Sequence, residues 1–246
     1  MRTTALRHLT FEVGQNEFLS VVGPSGSGKT SLLRLLAGLL RPCEGSVEFL
    51  LDEPKHETHW PLTSLVFQEN SLFPWMTVVE NAAFALEVQK VDRAERERSA
   101  TELLARFGLR GRERDYPHQL STGMKQRVAV IRAFLAGAPI LLMDEPFAAL
   151  DCQSRYRAQQ ELLDLWQQDR KTVVFVTHDV GEAIRLSDRI LVLSQGPGTI
   201  IAEYRVEQPR PRPLLLEDSE EMLDLNREIF ACLQLTQPPV SMAGAS

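Results

Sequence analysis

The chain has 246 residues, 43% hydrophobic and 24% charged, which is enough apolar side chain for one large folded domain or two modest ones. Its formal net charge of −6 gives no support to a nucleic-acid partner. Cys43, Cys152 and Cys232 lie far apart, with neither zinc-ligand spacing nor a disulfide framework, which fits a reducing compartment.

Met1 runs into Arg2, Thr3 and Thr4, with no basic-then-apolar leader, and no stretch reaches the ~18 apolar residues of a membrane span. The expectation is a soluble protein, or one bound to a membrane only through a partner. In chain order, "EFLSVVG" reads as a buried strand that runs into a glycine-rich loop. Leu32, Leu35, Leu36, Leu39 and Leu40 then recur at helical spacing, predicting a helix that stops at Arg41-Pro42. "GSVEFLL" predicts another strand.

From about 76 to 135 strand signals fade, and a mostly helical lobe is expected, inserted into the rest of the domain. Within it "DRAERERSATELLARFGL" predicts a helix capped by Asp92 and ending near Gly108, its charges facing solvent. "PILLMDEP", "TVVFVTHD" and "RILVLS" are further buried strands, alternating with helical stretches such as "RYRAQQELLDLWQQ". Such alternation predicts an α/β fold with a mainly parallel sheet covered by helices. "QGPG" is a turn joining "RILVLS" to "TIIAEYRV" as a hairpin, a small antiparallel part. "PRPRP", Pro209 to Pro213, should be extended. Met222, Leu223, Leu225, Ile229, Phe230 and Leu233 predict a last amphipathic helix within 214–236. The final residues, 237–246, are expected to be a frayed tail.

The chemistry starts at "GPSGSGKTS", where Gly23, Gly28, Lys29 and Thr30 fit G-x-x-x-x-G-K-[ST] between strand and helix. In such a loop Gly23, Pro24, Ser25, Gly26, Ser27, Gly28, Lys29, Thr30 and Ser31 surround phosphates. Backbone N–H groups approach closely where there is no Cβ, and the following helix points its positive end at the anion. Lys29 would reach the β and γ phosphates of a nucleoside triphosphate, and the Thr30 hydroxyl would ligate Mg²⁺. "ILLMDE" brings Asp144 to the end of a buried strand as a second Mg²⁺ group, with Glu145 beside it as a general base for the attacking water. His178 ends another apolar strand. There it could contact a γ-phosphate or orient water, or be an ordinary surface histidine.

These pieces, in this order, resemble the ATP-binding subunit of ABC transporters over about Ala5 to Pro213, giving a P-loop NTPase domain over 1–213. Gln68 in "VFQEN" matches the family's Q-loop glutamine, which touches Mg²⁺ and faces the membrane partner. "LSTGMKQR" matches the family signature, so Leu120, Ser121, Thr122, Gly123 and Met124 would act on the ATP held by a second subunit. Asp151 in "ALD" matches the D-loop, and His178 matches the switch histidine. The resemblance implies ATP and Mg²⁺ as ligands, a head-to-tail dimer or paired ATPase, integral-membrane permease subunits and, indirectly, a solute-binding protein. It places the chain at the cytoplasmic face of the membrane, without a nucleic-acid partner.

"Q-E-x-x-L-x-P-W-x-T-V", including Pro74 and Trp75, and the later "PGTI" and "PRPR" are similar to the nitrate, sulfonate and taurine importer branch. The implied function is an ATPase that energises import of a small anion or related solute. The alternatives are an impaired or regulatory ABC subunit and a soluble ABC ATPase outside transport. Thr122 stands where the signature commonly has its first glycine, so reduced or retuned closure of the dimer is expected. No aromatic precedes Phe11, which lies in "LTFEV", a stretch that reads as a strand, whereas family members stack adenine on one upstream. The expectation is a shortened start or an adenine site without its platform, the latter costing about 1–3 kcal/mol of stacking.

Overall fold

The computed structural model describes residues 4–50, 61–69, 71–213 and 218–235. Among the described residues six strands form one sheet, in the order β2-β3-β4-β1-β5-β6. They are β1 (Phe18–Val22), β2 (Thr63–Val66), β3 (Ile140–Asp144), β4 (Thr172–Thr177), β5 (Arg189–Leu193) and β6 (Ile200–Arg205). β1 to β5 run parallel, and β6 alone returns antiparallel against β5. β2 is short and only partly buried at the sheet edge, so its four residues carried too weak a pattern to be anticipated.

The central strands read as continuous apolar runs because both sheet faces are covered. On one face Phe18, Leu141, Met143, Val173 and Phe175 join a core with α2 (Val78–Val88), α3 (Arg93–Arg106), α4 (Thr122–Leu135) and α5 (Cys152–Gln168). Val22, Ile190 and Val192, also on that face, pack with α6 (Val180–Leu186) and α7 (Glu220–Leu235). The alternate positions, Leu19, Val21, Leu142, Val174, Val176 and Leu191, face α1 (Lys29–Leu36) on the other side.

Between β2 and β3 the chain forms α2, α3 and α4. Thr77 starts α2 with a reciprocal capping box to Glu80, and Asp92 caps α3 as predicted. The lobe is anchored to the sheet through α4: the buried Gln126 donates to the Phe67 carbonyl, and Arg132 donates to the carbonyl and hydroxyl of Ser71. α4 thereby holds the stretch that follows β2.

Four expectations need correction. α1 does not continue to Leu40. It ends at Leu36, because Gly38 takes φ 70° and the Leu39 N–H reaches back to the Arg34 carbonyl, closing the helix in a Schellman turn. Leu39 and Leu40 are left exposed. "GSVEFLL" forms no strand over its described residues 45–50, so among the described residues the antiparallel part is β6 alone. "LTFEV" is irregular, and Phe11 packs partly buried against the α1 side of the core.

Pro209–Pro213, expected to be extended, bends at Arg210 and Pro211. Its arginines turn inward: Arg212 is buried and donates to the carbonyls of Ile184, Ser187 and Val206 near the end of α6. Burial, with Arg210 beside it, pushes the Arg212 pKa down to about 10. Such capping satisfies carbonyls that the helix end leaves open. α7 falls where the apolar spacing predicted, burying Met222 and Ile229, while Phe230 stays half exposed. The tail at 237–246 lies outside the described residues.

Candidate phosphate site and its rim

β1 delivers the chain to Gly23, and the loop from Gly23 to Gly28 leads into α1. Gly26 and Gly28 have φ of 81° and 92°, a left-handed conformation in which a side chain is strained. Gly28 is also crowded, since a Cβ there would lie 2.5 Å from Leu6 Cδ2 and 2.8 Å from the Ala5 carbonyl. Lys29 is buried, and its Nζ donates to the Gly23 and Pro24 carbonyls at 2.8 and 3.0 Å. Burial pushes the Lys29 pKa down, while Glu145 and Asp144 pull it back up. Ser27 is fully buried, and its Oγ has no hydrogen-bond partner.

The hairpin between β5 and β6 closes over this loop, a contact that the sequence did not reveal. A Cβ on Gly198 would fall 1.9 Å from the Ser27 carbonyl oxygen, and one on Gly196 would fall 2.6 Å from that of Gly26. The segment at Ala5–Arg7 joins from the other side: Gly198 N–H donates to the Ala5 carbonyl and Arg7 N–H to the Gly198 carbonyl, each at 2.9 Å. The glycines of "QGPG" therefore permit backbone to lie on backbone, in addition to making a turn.

Asp144 ends β3 and is buried. Burial pushes its pKa up, opposed by a hydrogen bond from Thr30. That bond puts a hydroxyl and a carboxylate oxygen together beside the loop, hard donors of the kind Mg²⁺ takes alongside phosphate and water. Among the described residues no group of three or more His, Cys, Asp and Glu could hold a metal ion by itself. An ion at Thr30 and Asp144 would thus depend on substrate oxygens and water for the rest of its shell.

Glu145 has φ 45°, uncommon for a side-chain residue. The kink brings its carboxylate to a meeting point of three segments. His178 Nδ1 lies 2.9 Å from Glu145 Oε2, and Gln68 Nε2 lies 3.4 Å from the same oxygen. Three residues chosen from separate stretches of sequence thus converge at the sheet rim, next to Lys29 and Asp144.

The signature stretch lies at the start of α4. Ser121 is its N-cap, accepting from the Met124 N–H at 3.3 Å, and both Ser121 and Thr122 are exposed. Leu120 is buried and Met124 is half-buried. Gly123 touches Leu150: a Cβ there would come within 2.3 Å of Leu150 Cδ2. Asp151 is exposed and caps α5 by accepting from the Ser154 N–H at 3.0 Å. Trp75 is 69% exposed, with Phe73 at 5.5 Å between ring centroids.

Sequence reasoning read Gly198 as part of a turn, and it gave no role to Gln126, Arg132, Arg155 and Glu182. Of these only Glu182 had a readable signal, an acid four positions after His178.

Comparison with known proteins bears on this geometry. The family described as ABC transporter matches residues 6–148. An uncharacterised ABC transporter ATP-binding protein of Methanocaldococcus jannaschii is 46% identical over 233 residues, covering 95% of this chain and 85% of that protein. The nitrate import ATP-binding protein NrtD of Synechocystis is 39% identical over 236 residues, covering 94% of this chain and 88% of that protein. The aliphatic sulfonates import ATP-binding protein SsuB of Bacillus cereus is 38% identical over 225 residues, covering 92% and 86%. Among solved structures, a dimeric ATP-binding cassette in a post-hydrolysis state bound to ADP and Pi superposes with a TM-score of 0.69 at 32% identity, covering 83% of this chain and 92% of that one.

Proposed function

Since the chain belongs to the ABC transporter family of ATP-binding proteins, an ATPase subunit coupled to transport, we propose that it energises import of a small anion of the nitrate or sulfonate type. It works as a head-to-tail dimer on permease subunits, at the cytoplasmic face of the membrane. Among the described residues no helix is long and apolar enough to cross a membrane, so the permease contact would be peripheral. The exposed Trp75 beside Phe73, on the lobe that α4 ties to the Gln68 stretch, offers an apolar surface for it.

The observation that carries the catalytic reading is the convergence of Gln68 and His178 on Glu145, next to Lys29 and Asp144. The loop from Gly23 to Ser31 binds the ATP phosphates through backbone N–H groups, and Lys29 turns from the Gly23 and Pro24 carbonyls to the β and γ oxygens. Thr30 and Asp144, together with Gln68, would hold Mg²⁺, which would neutralise charge on those oxygens. Glu145 accepts a proton as the water oxygen attacks the γ-phosphorus and the bond to the β-phosphate oxygen breaks. His178 and Gln68 hold Glu145 in place to receive it. Leu120 to Met124 of a second copy close over the γ-phosphate, with the start of α4 as the anion site.

Closure therefore depends on the nucleotide, and loss of the γ-phosphate lets the pair open. The deciding experiment is steady-state ATPase of Glu145→Gln with permease co-purification alongside. Turnover should fall at least about a hundred-fold, within the range for losing a general base, while ATP binding persists. Full turnover by that variant contradicts the role of Glu145.

A further inference from the structure

His178 sits in the turn between β4 and α6, and the residues on both sides of it are tied to one buried carboxylate. Glu182, one turn into α6, is 4% exposed. Its Oε2 accepts from the Thr177 hydroxyl at 2.5 Å, and its Oε1 accepts from Gln159 Nε2 of α5 at 2.9 Å. The Thr177 oxygen in turn accepts from the Asp179 N–H at 3.0 Å, and Asp179 Oδ1 accepts from the Glu182 N–H at 3.0 Å. The chain thus closes a loop of hydrogen bonds around His178, from Thr177 to Asp179 to Glu182 and back.

α5 reinforces the loop from behind. Arg185 donates to Gln159 Oε1 at 2.9 Å and lies over the Tyr156 ring at 4.7 Å. Arg155 reaches Asp179 Oδ2 at 3.5 Å and the Leu150 carbonyl at 3.1 Å, joining the turn to the segment carrying Asp151.

Burying a carboxylate is costly in stability, and an apolar residue would pack the same space more cheaply. What an apolar residue cannot do is receive two converging donors and fix them in direction. We propose that Glu182 is a positioning residue for His178, fixing the β4–α6 turn through Thr177 and Gln159 so that the imidazole meets Glu145. The proposal rests on the reading that Glu145 and His178 serve the attacking water. Burial, set against the Thr177 and Gln159 hydrogen bonds, pushes the Glu182 pKa up to about 7. The other charged or titratable groups of this cluster are Asp179 and Arg185 of the turn and α6, and Arg155 and Tyr156 of α5.

Glu182→Gln keeps the volume but puts an amide where two donors converge, so one of them loses its acceptor. In the full-length protein, kcat should fall about ten-fold while KM for ATP changes less than about two-fold, the pattern of a lost transition-state interaction. The ring resonances of His178 in a ¹H–¹³C spectrum should move in the same variant. Thr177→Val, which removes only the hydroxyl, should give the same pair of changes and replaces Glu182→Gln if that variant fails to fold. Unmoved His178 resonances with a folded variant overturn the proposal, as does a loss confined to KM. Moved resonances with unchanged kcat uphold the positioning and refute instead the part His178 was given in hydrolysis.

Discussion

The phosphate loop and the signature stretch are the two halves proposed for one composite ATP site, and this chain treats them differently. The loop is enclosed by its own protein: Lys29 and Ser27 are buried, Leu6 lies on Gly28, and the β5–β6 hairpin rests on the carbonyls of Gly26 and Ser27. At the signature, Ser121 and Thr122 are exposed, and the Ser121 hydroxyl is satisfied by its own helix. One half is held by contacts within its own chain. The other displays an exposed helix start, where Ser121 caps the Met124 N–H and the first-turn N–H groups point the positive helix end outward. The difference is what a site requires if it is to respond to nucleotide by assembling.

Substitutions that damage one half and spare the other test this contrast. The largest expected effect comes from Gly198→Ala, whose Cβ would overlap the Ser27 carbonyl at 1.9 Å. Displacing the loop should weaken ATP affinity of the isolated chain by roughly ten- to a hundred-fold, an overpacking cost of about 1–3 kcal/mol. Titration with a fluorescent nucleotide measures it, and unchanged affinity would show that the hairpin does not set the loop.

Gly123→Ala should invert the pattern. Its Cβ, 2.3 Å from Leu150 Cδ2, pushes the α4 start away from the loop carrying Asp151. Nucleotide affinity of the single chain should hold, while ATP-dependent dimerisation and turnover drop about ten-fold, or about 1.4 kcal/mol. Equal loss of nucleotide affinity by the single chain would erase the distinction between the halves. Thr122→Gly should act more gently in the opposite sense. Removing an exposed side chain at the proposed interface should raise ATP-dependent dimer formation about two- to three-fold, read by size-exclusion chromatography with ATP in the Glu145→Gln background.

The smallest effect concerns the carboxyl buried behind His178. Burial raises the Glu182 pKa to about 7, above its ordinary value of 4.5, so the folded chain binds a proton between those values that the unfolded chain releases. That part of stability is fullest below pH 4.5 and is lost as pH rises through about 7. Between pH 6 and 8 the thermal midpoint should therefore fall by a few degrees more in the parent chain than in Glu182→Gln. Ser121→Ala, on the signature side, should leave that pH slope unaltered.

Much of the site was legible because its parts are local. A glycine loop between an apolar strand and a helix, an acid pair at a strand end, and a serine before a helix each declare themselves over a few residues. Their physics is backbone conformation and helix ends. Fold class was legible for the same reason, since apolar runs alternating with amphipathic stretches leave little besides a covered parallel sheet. Local reading failed where the signal was short or long-range. β2 has four residues, α1 is cut by one glycine in place of the later proline, and "GSVEFLL" has strand-forming residues without a strand in the described part.

By itself the sequence determined which groups could hold phosphate, take a proton or cap a helix, because those abilities belong to residue types and their immediate neighbours. Only the tertiary structure decided which of them meet. It set Gln68, Glu145 and His178 on one oxygen, laid Gly198 on Ser27, and closed Glu182 onto Thr177 behind the histidine. These contacts depend on sheet order and on how closely two backbones pass, and no spacing along the chain encodes either.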